Sequence, residues 1–102
     1  MARVRISKQA WADLESIVSY YEEISPEFAL VFEENVLAKV RQLERFPRLG
    51  RMVPEINDPS MRELIYRSYR IVYFVDESDE EAELLTIFHS SRQFGGLPGE
   101  SP

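Results

Sequence analysis

YRSYRIVYFVDE, running from Tyr66 to Glu77, decides how the rest of this chain is read. A strand with one wet face alternates apolar and polar residues. Here the alternation fails. Tyr69, Ile71, Tyr73 and Val75 fall on one face and Val72 and Phe74 on the other, and only Arg70 interrupts the apolar run. A surface this apolar on both sides needs cover on both sides. The chain's own loop and tail are one source of the second cover and another molecule is the other. We expect a partner to supply much of it.

The neighbours of this stretch are also strand-like. Met61 to Arg67 precedes it across the tight link at Ser68, and Glu83 to His89 follows a polar turn, ESDEEA. Links this short make an antiparallel meander. Upstream, PRLGRMVPEINDPS (Pro47 to Ser60) carries three prolines and one glycine and reads as a loop.

Two helices come before that loop. Ser7 stands where an N-cap belongs, and Trp11, Leu14, Val18 and Tyr21 follow at helical spacing, with Ile17 widening the stripe. This helix is expected over 8–23. Ser25 then reads as an N-cap, Pro26 as the first helical residue, and Glu27 suits the positive helix end. Phe28, Phe32, Val36, Val40 and Leu43 share one face, and Pro47 stops the helix near Arg45. The short link makes an antiparallel hairpin. ARVRI at the start alternates as one more strand.

The resulting fold class is α+β: strand, helix, helix, then three strands, an antiparallel sheet with a helical hairpin on one face. One domain over 1–94 and a flexible glycine- and proline-rich tail over 95–102 are expected. A chain of 102 residues with 44% hydrophobic and 12% aromatic residues can bury one core.

Charge and composition narrow the function. There is no cysteine, so disulfide scaffolds, thiolate zinc sites and cysteine nucleophiles are excluded. With a single histidine, zinc is not expected either, and no cofactor is. The acidic turn 76–83 lacks the glycine and spaced ligands of a calcium loop. No phosphate loop, nucleophile elbow or zinc helix is present. No apolar run reaches the roughly 18 residues of a membrane helix, and no secretion signal stands out, so a cytoplasmic location is expected. The net charge of −6 and pI near 4.8 oppose general attraction to nucleic acid. Yet Lys39, Arg41, Arg45, Arg48 and Arg51 crowd thirteen residues against one acid, Glu44. They make a local basic surface, either a solvated helix face or a docking site for an acidic segment or for a target and its DNA.

YRIVYFVD (Tyr69 to Asp76) followed by LLTIFHSSRQF (Leu84 to Phe94), with LERFPRLGR (Leu43 to Arg51) leaving the second helix, resembles the ParE/RelE superfamily of toxin–antitoxin toxins, and the ParE-like branch in particular. The resemblance spans nearly the whole chain. It implies a growth-arresting toxin of the kind found in plasmid stabilisation systems, wrapped and neutralised by a cognate antitoxin. RelE-like members cut mRNA on the ribosome, whereas ParE-like members inhibit DNA gyrase and are not nucleases. On the RelE-like alternative, Arg70, His89 and Arg92 are the catalytic candidates, acting as metal-independent acid, base and phosphate-stabilising cations. Against it, the strand where that branch carries lysines reads MRELIY, and no tyrosine follows Tyr73. A gyrase-inhibiting binding protein rather than an enzyme is therefore expected, with Lys39, Arg41, Arg45, Arg48 and Arg51 on the target side. Tyr66, Arg70, Val72, Phe74 and Arg92 are expected to meet the antitoxin. Each has a plainer role open to it: Arg70 pairing with Glu63 or Glu83, His89 as a hydrogen-bonded strand end, Arg92 solvated and Trp11 in the core.

Overall fold

Five strands form one sheet in a computed structural model that describes residues 1–92. In chain order the elements are β1 (Arg3–Ile6), α1 (Lys8–Glu22), α2 (Pro26–Arg41), a 3-10 turn (Gln42–Glu44), β2 (Arg51–Met52), β3 (Met61–Tyr66), β4 (Tyr69–Val75) and β5 (Glu81–His89). The sheet order is β1-β5-β4-β3-β2. The expected domain end at Phe94 and the tail over 95–102 lie outside the described residues. Among those described, no helix is long and apolar enough to cross a membrane.

The meander of β3, β4 and β5 is antiparallel, as the short links dictate. Two expectations about the sheet need correction. First, β1 pairs with β5 in parallel, Arg3 opposite Glu81 and Ile6 opposite Leu84, so the sheet is mixed. Short links fix strand direction only between neighbours in sequence, and β1 is separated from β5 by most of the chain. Second, the loop over 47–60 contains the short edge strand β2, with Arg51 opposite Glu63 and Met52 opposite Arg62.

Both helices start where their caps put them. Ser7 Oγ accepts the Ala10 N–H at 3.0 Å and donates to the Leu85 carbonyl at 3.0 Å, tying the start of α1 to β5. Ser25 Oγ accepts the Phe28 N–H at 3.2 Å, with Pro26 and Glu27 in the first turn. α2 ends at Arg41 and tightens into the 3-10 turn, four residues short of the expected stop at Arg45. Trp11, expected in the core, is 41% exposed, and Ala10 beside it is fully buried. The small side chain faces inward and lets the helix lie close to the sheet.

The main core lies between the helical hairpin and one sheet face. Leu14, Phe32, Val36, Val40 and Leu43 pack against Leu64, Tyr69, Ile71, Tyr73, Val75, Leu84 and Ile87. β5 carries one extra residue, Leu85, where Val72 pairs with Thr86 but Tyr73 pairs with Leu84. β1 ends at this bulge. Beyond it the Asp13 carboxylate of α1 accepts the Ile87 N–H at 3.0 Å and the Thr86 hydroxyl, so a helix side chain takes over where strand pairing stops.

The chain itself roofs the second face over Val72. The segment after β2 folds back over β4, and Val53, Val72 and Phe88 form a second buried cluster with Ile56 and Met61 against it. The turn is well held. Val53 N–H donates to the Met61 carbonyl at 2.9 Å, Met61 N–H to the Asp58 carbonyl at 2.9 Å, and Val75 N–H to the Ser60 carbonyl at 2.9 Å. Asn57 adopts a left-handed φ of 57°, a conformation that asparagine tolerates. Much of the cover expected from a partner is therefore intramolecular.

Gly50 lets the roof segment approach. A Cβ there would lie 2.5 Å from the Glu63 carbonyl oxygen and 2.8 Å from the Tyr73 ring. Its N–H donates to the Tyr73 hydroxyl at 2.9 Å, which donates in turn to the Pro47 carbonyl at 2.8 Å. Gly50→Ala is expected to cost roughly 1–3 kcal/mol by overpacking, read as a shift in urea midpoint. An unchanged midpoint would show that the loop can yield.

Candidate functional site

β4 carries Arg70 onto the roofed face, and β3 carries Glu63 beside it, because Glu63 pairs with Val72 one strand over. Arg70 is 7% exposed and Glu63 is 1% exposed. Such burial of two charges is tolerable only when they satisfy each other. Arg70 Nε donates to Glu63 Oε1 at 2.6 Å, and its Nη1 and Nη2 donate to both Glu55 oxygens at 2.8 Å. The second Glu63 oxygen takes Arg51 from the edge, at 2.7 Å. The chain Glu55–Arg70–Glu63–Arg51 thus ties the roof segment, β4, β3 and β2 together.

The two bonds from Arg70 hold the Glu55 carboxyl far below its ordinary value of 4.5, down to about 2. A carboxyl depressed by folding contributes stability that is complete above its unfolded value and is lost as the pH falls from about 4.5 through about 2. The Glu55 side chain is 43% exposed, so solvent screens the pair. In acid unfolding followed by circular dichroism, Glu55→Gln should flatten the pH dependence between about 4.5 and 2. Stability at pH 7 should fall by about 1 kcal/mol or less. An identical acid profile would show that the bridge does not form in solution.

Phe88 sits next to this network. The Arg70 guanidinium lies 5.5 Å from its ring centre and that of Arg92 5.9 Å. On the helix side of the same strand end, Asp13, Ser16, Ile17, Tyr69, Ile87, Phe88, His89 and Arg92 line an open cleft of about 240 Å³. His89 Nδ1 accepts the Ser91 N–H at 3.1 Å and lies 2.7 Å from the Ser91 hydroxyl, which leaves the neutral ring's proton on Nε2. The Tyr69 ring meets the imidazole edge-on at 5.3 Å. Burial, together with the Tyr21 hydroxyl at 3.1 Å, pushes the Tyr69 phenol well above its ordinary value, so it stays protonated. Asp13 is already committed to β5.

The predicted residues therefore separate. His89 and Arg92 share the cleft, but Arg70 lies under the roof on the other face. Val72, expected to meet the antitoxin, is fully buried, whereas Phe74 on the same face is 41% exposed. Tyr66 belongs to the helix face, its ring tilted against that of Phe32 at 5.5 Å and its hydroxyl bonded to Asn35 of α2 at 2.9 Å. Of the basic cluster, Arg48 is clamped by Asp79 at 2.7 Å and by the Pro59 and Asp76 carbonyls, and Arg51 by Glu63. Arg41 lines a groove with Val4, Ile6, Leu37, Val40 and Glu44, while Arg45 lines a separate one. The expected single basic surface is thus divided. Asp13, Glu55 and Phe88 escaped the sequence reading. Glu55 lies in a loop with no periodicity, and nothing local marks Asp13 as a strand cap.

A family model described as ParE toxin of type II toxin–antitoxin system, parDE, matches residues 4–94. Among solved structures, the chain is similar to the chromosomal ParDE toxin–antitoxin system from P. aeruginosa, with TM-score 0.70 and 25% identity over 87% of this chain and 96% of that one. It also shares its fold with the toxin–antitoxin complex RelBE2 from Mycobacterium tuberculosis, with TM-score 0.57 and 20% identity over 86% and 96% of the two chains. No match was found among curated proteins. The chain belongs to the ParE toxin family of type II toxin–antitoxin systems.

Proposed function

We propose that this toxin arrests growth by binding DNA gyrase, without cutting RNA, and that a cognate antitoxin holds it inactive. The observation that carries the first part is the state of Arg70. A cation that stabilises a phosphorane must reach the phosphate. Here three guanidinium donors bond to Glu55 and Glu63, and the side chain is covered. Arg62 is no substitute, because its Nε donates to the Pro59 carbonyl and its Nη1 to the Gly50 carbonyl, both at 2.9 Å. The net charge of −6 further disfavours docking on ribosomal RNA.

One observation favours RNA cleavage: His89 and Arg92 line one cleft. The cleft supplies one cation, however, with a phenol that stays protonated and a carboxylate already committed. For the antitoxin, the exposed Phe74 and Arg92 are the contacts we retain, because Val72 and Arg70 lie beneath the roof.

The test is a pair of assays on the purified chain. Supercoiling by bacterial DNA gyrase should be inhibited, and mRNA on translating ribosomes should stay intact. Intact supercoiling with cleaved mRNA would reverse the assignment.

A further inference from the structure

The segment between α2 and β2 holds two apolar side chains out into solvent on a fixed backbone. Phe46 is 60% exposed and Leu49 is 50% exposed. Neither sits on a slack loop. Phe46 N–H donates to the Gln42 carbonyl at 2.9 Å, and Leu49 N–H donates to the Phe46 carbonyl at 3.0 Å. Between and beyond them, the buried Tyr73 hydroxyl holds the Pro47 carbonyl and the Gly50 N–H. Arg45, Phe46, Pro47, Arg48, Leu49 and Asp79 line an open cleft of about 530 Å³. An aromatic and an aliphatic side chain displayed on a backbone already held in place suit an interface hot spot, because no loop has to be ordered on binding.

The chemistry of the rim selects the occupant. Arg48 is clamped by Asp79, so that edge carries a carboxylate as well as a cation. Arg45 is exposed and makes no ion pair among the described residues. DNA would meet one unpaired arginine beside a carboxylate, and two apolar side chains with nothing to contact on a phosphate backbone. We propose that this cleft is where the toxin docks its target, and that the occupant is a protein segment presenting an apolar side chain with a carboxylate beside it. The apolar side chain packs against Phe46 and Leu49, and the carboxylate meets Arg45. This rests on the reading of the chain as a toxin acting by binding, but not on the target being gyrase.

The test uses the full chain and the double variant Phe46→Ser/Leu49→Ser, with Arg45→Glu as a charge-reversed companion. Both change exposed side chains, so thermal melting should match the parent. Growth arrest on induced expression should need on the order of tenfold more inducer for either variant. If the gyrase assignment also holds, capture of the purified gyrase subunits should weaken in parallel. Variants that melt like the parent and still arrest growth at the parent's inducer level overturn the proposal, whether or not gyrase is the target. A parent chain that leaves growth untouched overturns it too, because no target is then engaged. Binding to a short DNA duplex that is lost in Arg45→Glu but kept in Phe46→Ser/Leu49→Ser overturns it in favour of nucleic acid. Self-association lost in the double variant while growth arrest persists overturns it in favour of a second copy of the chain. Failure of gyrase inhibition in the parent, with growth arrest still abolished in the variants, removes gyrase and leaves the docking surface standing.

Discussion

Arg70→Ala should destabilise the protein by roughly 3–5 kcal/mol, the cost of removing one partner from a buried ion pair. The reason lies in what is left behind. The Glu63 side chain has no exposure, and it would keep only Arg51, whose own side chain is 59% exposed. Glu55 would lose both of its bonds and the roof its charged tie to β4. Small domains have about 5–15 kcal/mol in total, so this single change removes a large share. Urea unfolding should show a lower midpoint with an unchanged slope. Loss of toxicity in such a variant would therefore report unfolding and not chemistry. A midpoint within about 1 kcal/mol of the parent's would mean that the pair is solvated and the roof is open.

Phe32→Ala should cost a similar 3–5 kcal/mol for a different reason. Phe32 is fully buried, and its ring lies 5.1 Å from Tyr69, 5.5 Å from Tyr66, 5.6 Å from Tyr21 and 6.3 Å from Phe28. These rings join both helices to the β3–β4 turn. Truncation leaves a cavity in the middle of them and forfeits four ring contacts, of which the one to Tyr69 is edge-to-face, an arrangement worth about 0.5–1.5 kcal/mol beyond burial. Phe32→Leu keeps much of the volume and should recover most of the loss. If Phe32→Ala unfolds at the parent's midpoint, the hairpin is not seated on the sheet as described.

The sequence was most informative where a pattern is local. The helix starts followed from Ser7, Ser25 and Pro26, whose capping chemistry involves residues three apart. The meander followed from Ser68 and the acidic turn, which are too short to connect strands any other way. The two-sided apolar character of β4 correctly announced a covered second face. What covers it was not legible, because Val53 and Ile56 reach Val72 through a turn of loop residues without periodicity. For the same reason Glu63 was recognisable as a partner of Arg70 through strand pairing, whereas Glu55 was not. Trp11 was misplaced because its spacing fits the apolar stripe equally well, and only close packing against the sheet selects Ala10 instead. The basic cluster looked like one surface because charge was counted along the chain, whereas Asp79 and Glu63, which clamp Arg48 and Arg51, arrive from distant elements.

The central claim is that Arg70 secures the roof and takes no part in chemistry. Its most direct test is the double variant Glu63→Met/Arg70→Met, which removes both buried charges at once and leaves without a partner only Glu55 and Arg51, whose side chains are 43% and 59% exposed. Buried ion pairs replaced by apolar side chains of similar size are often neutral or better. The variant should unfold cooperatively at a midpoint near the parent's and arrest growth at the parent's inducer level. A variant that folds and melts like the parent but no longer arrests growth would show that Arg70 acts on the target or the substrate, and would contradict the account.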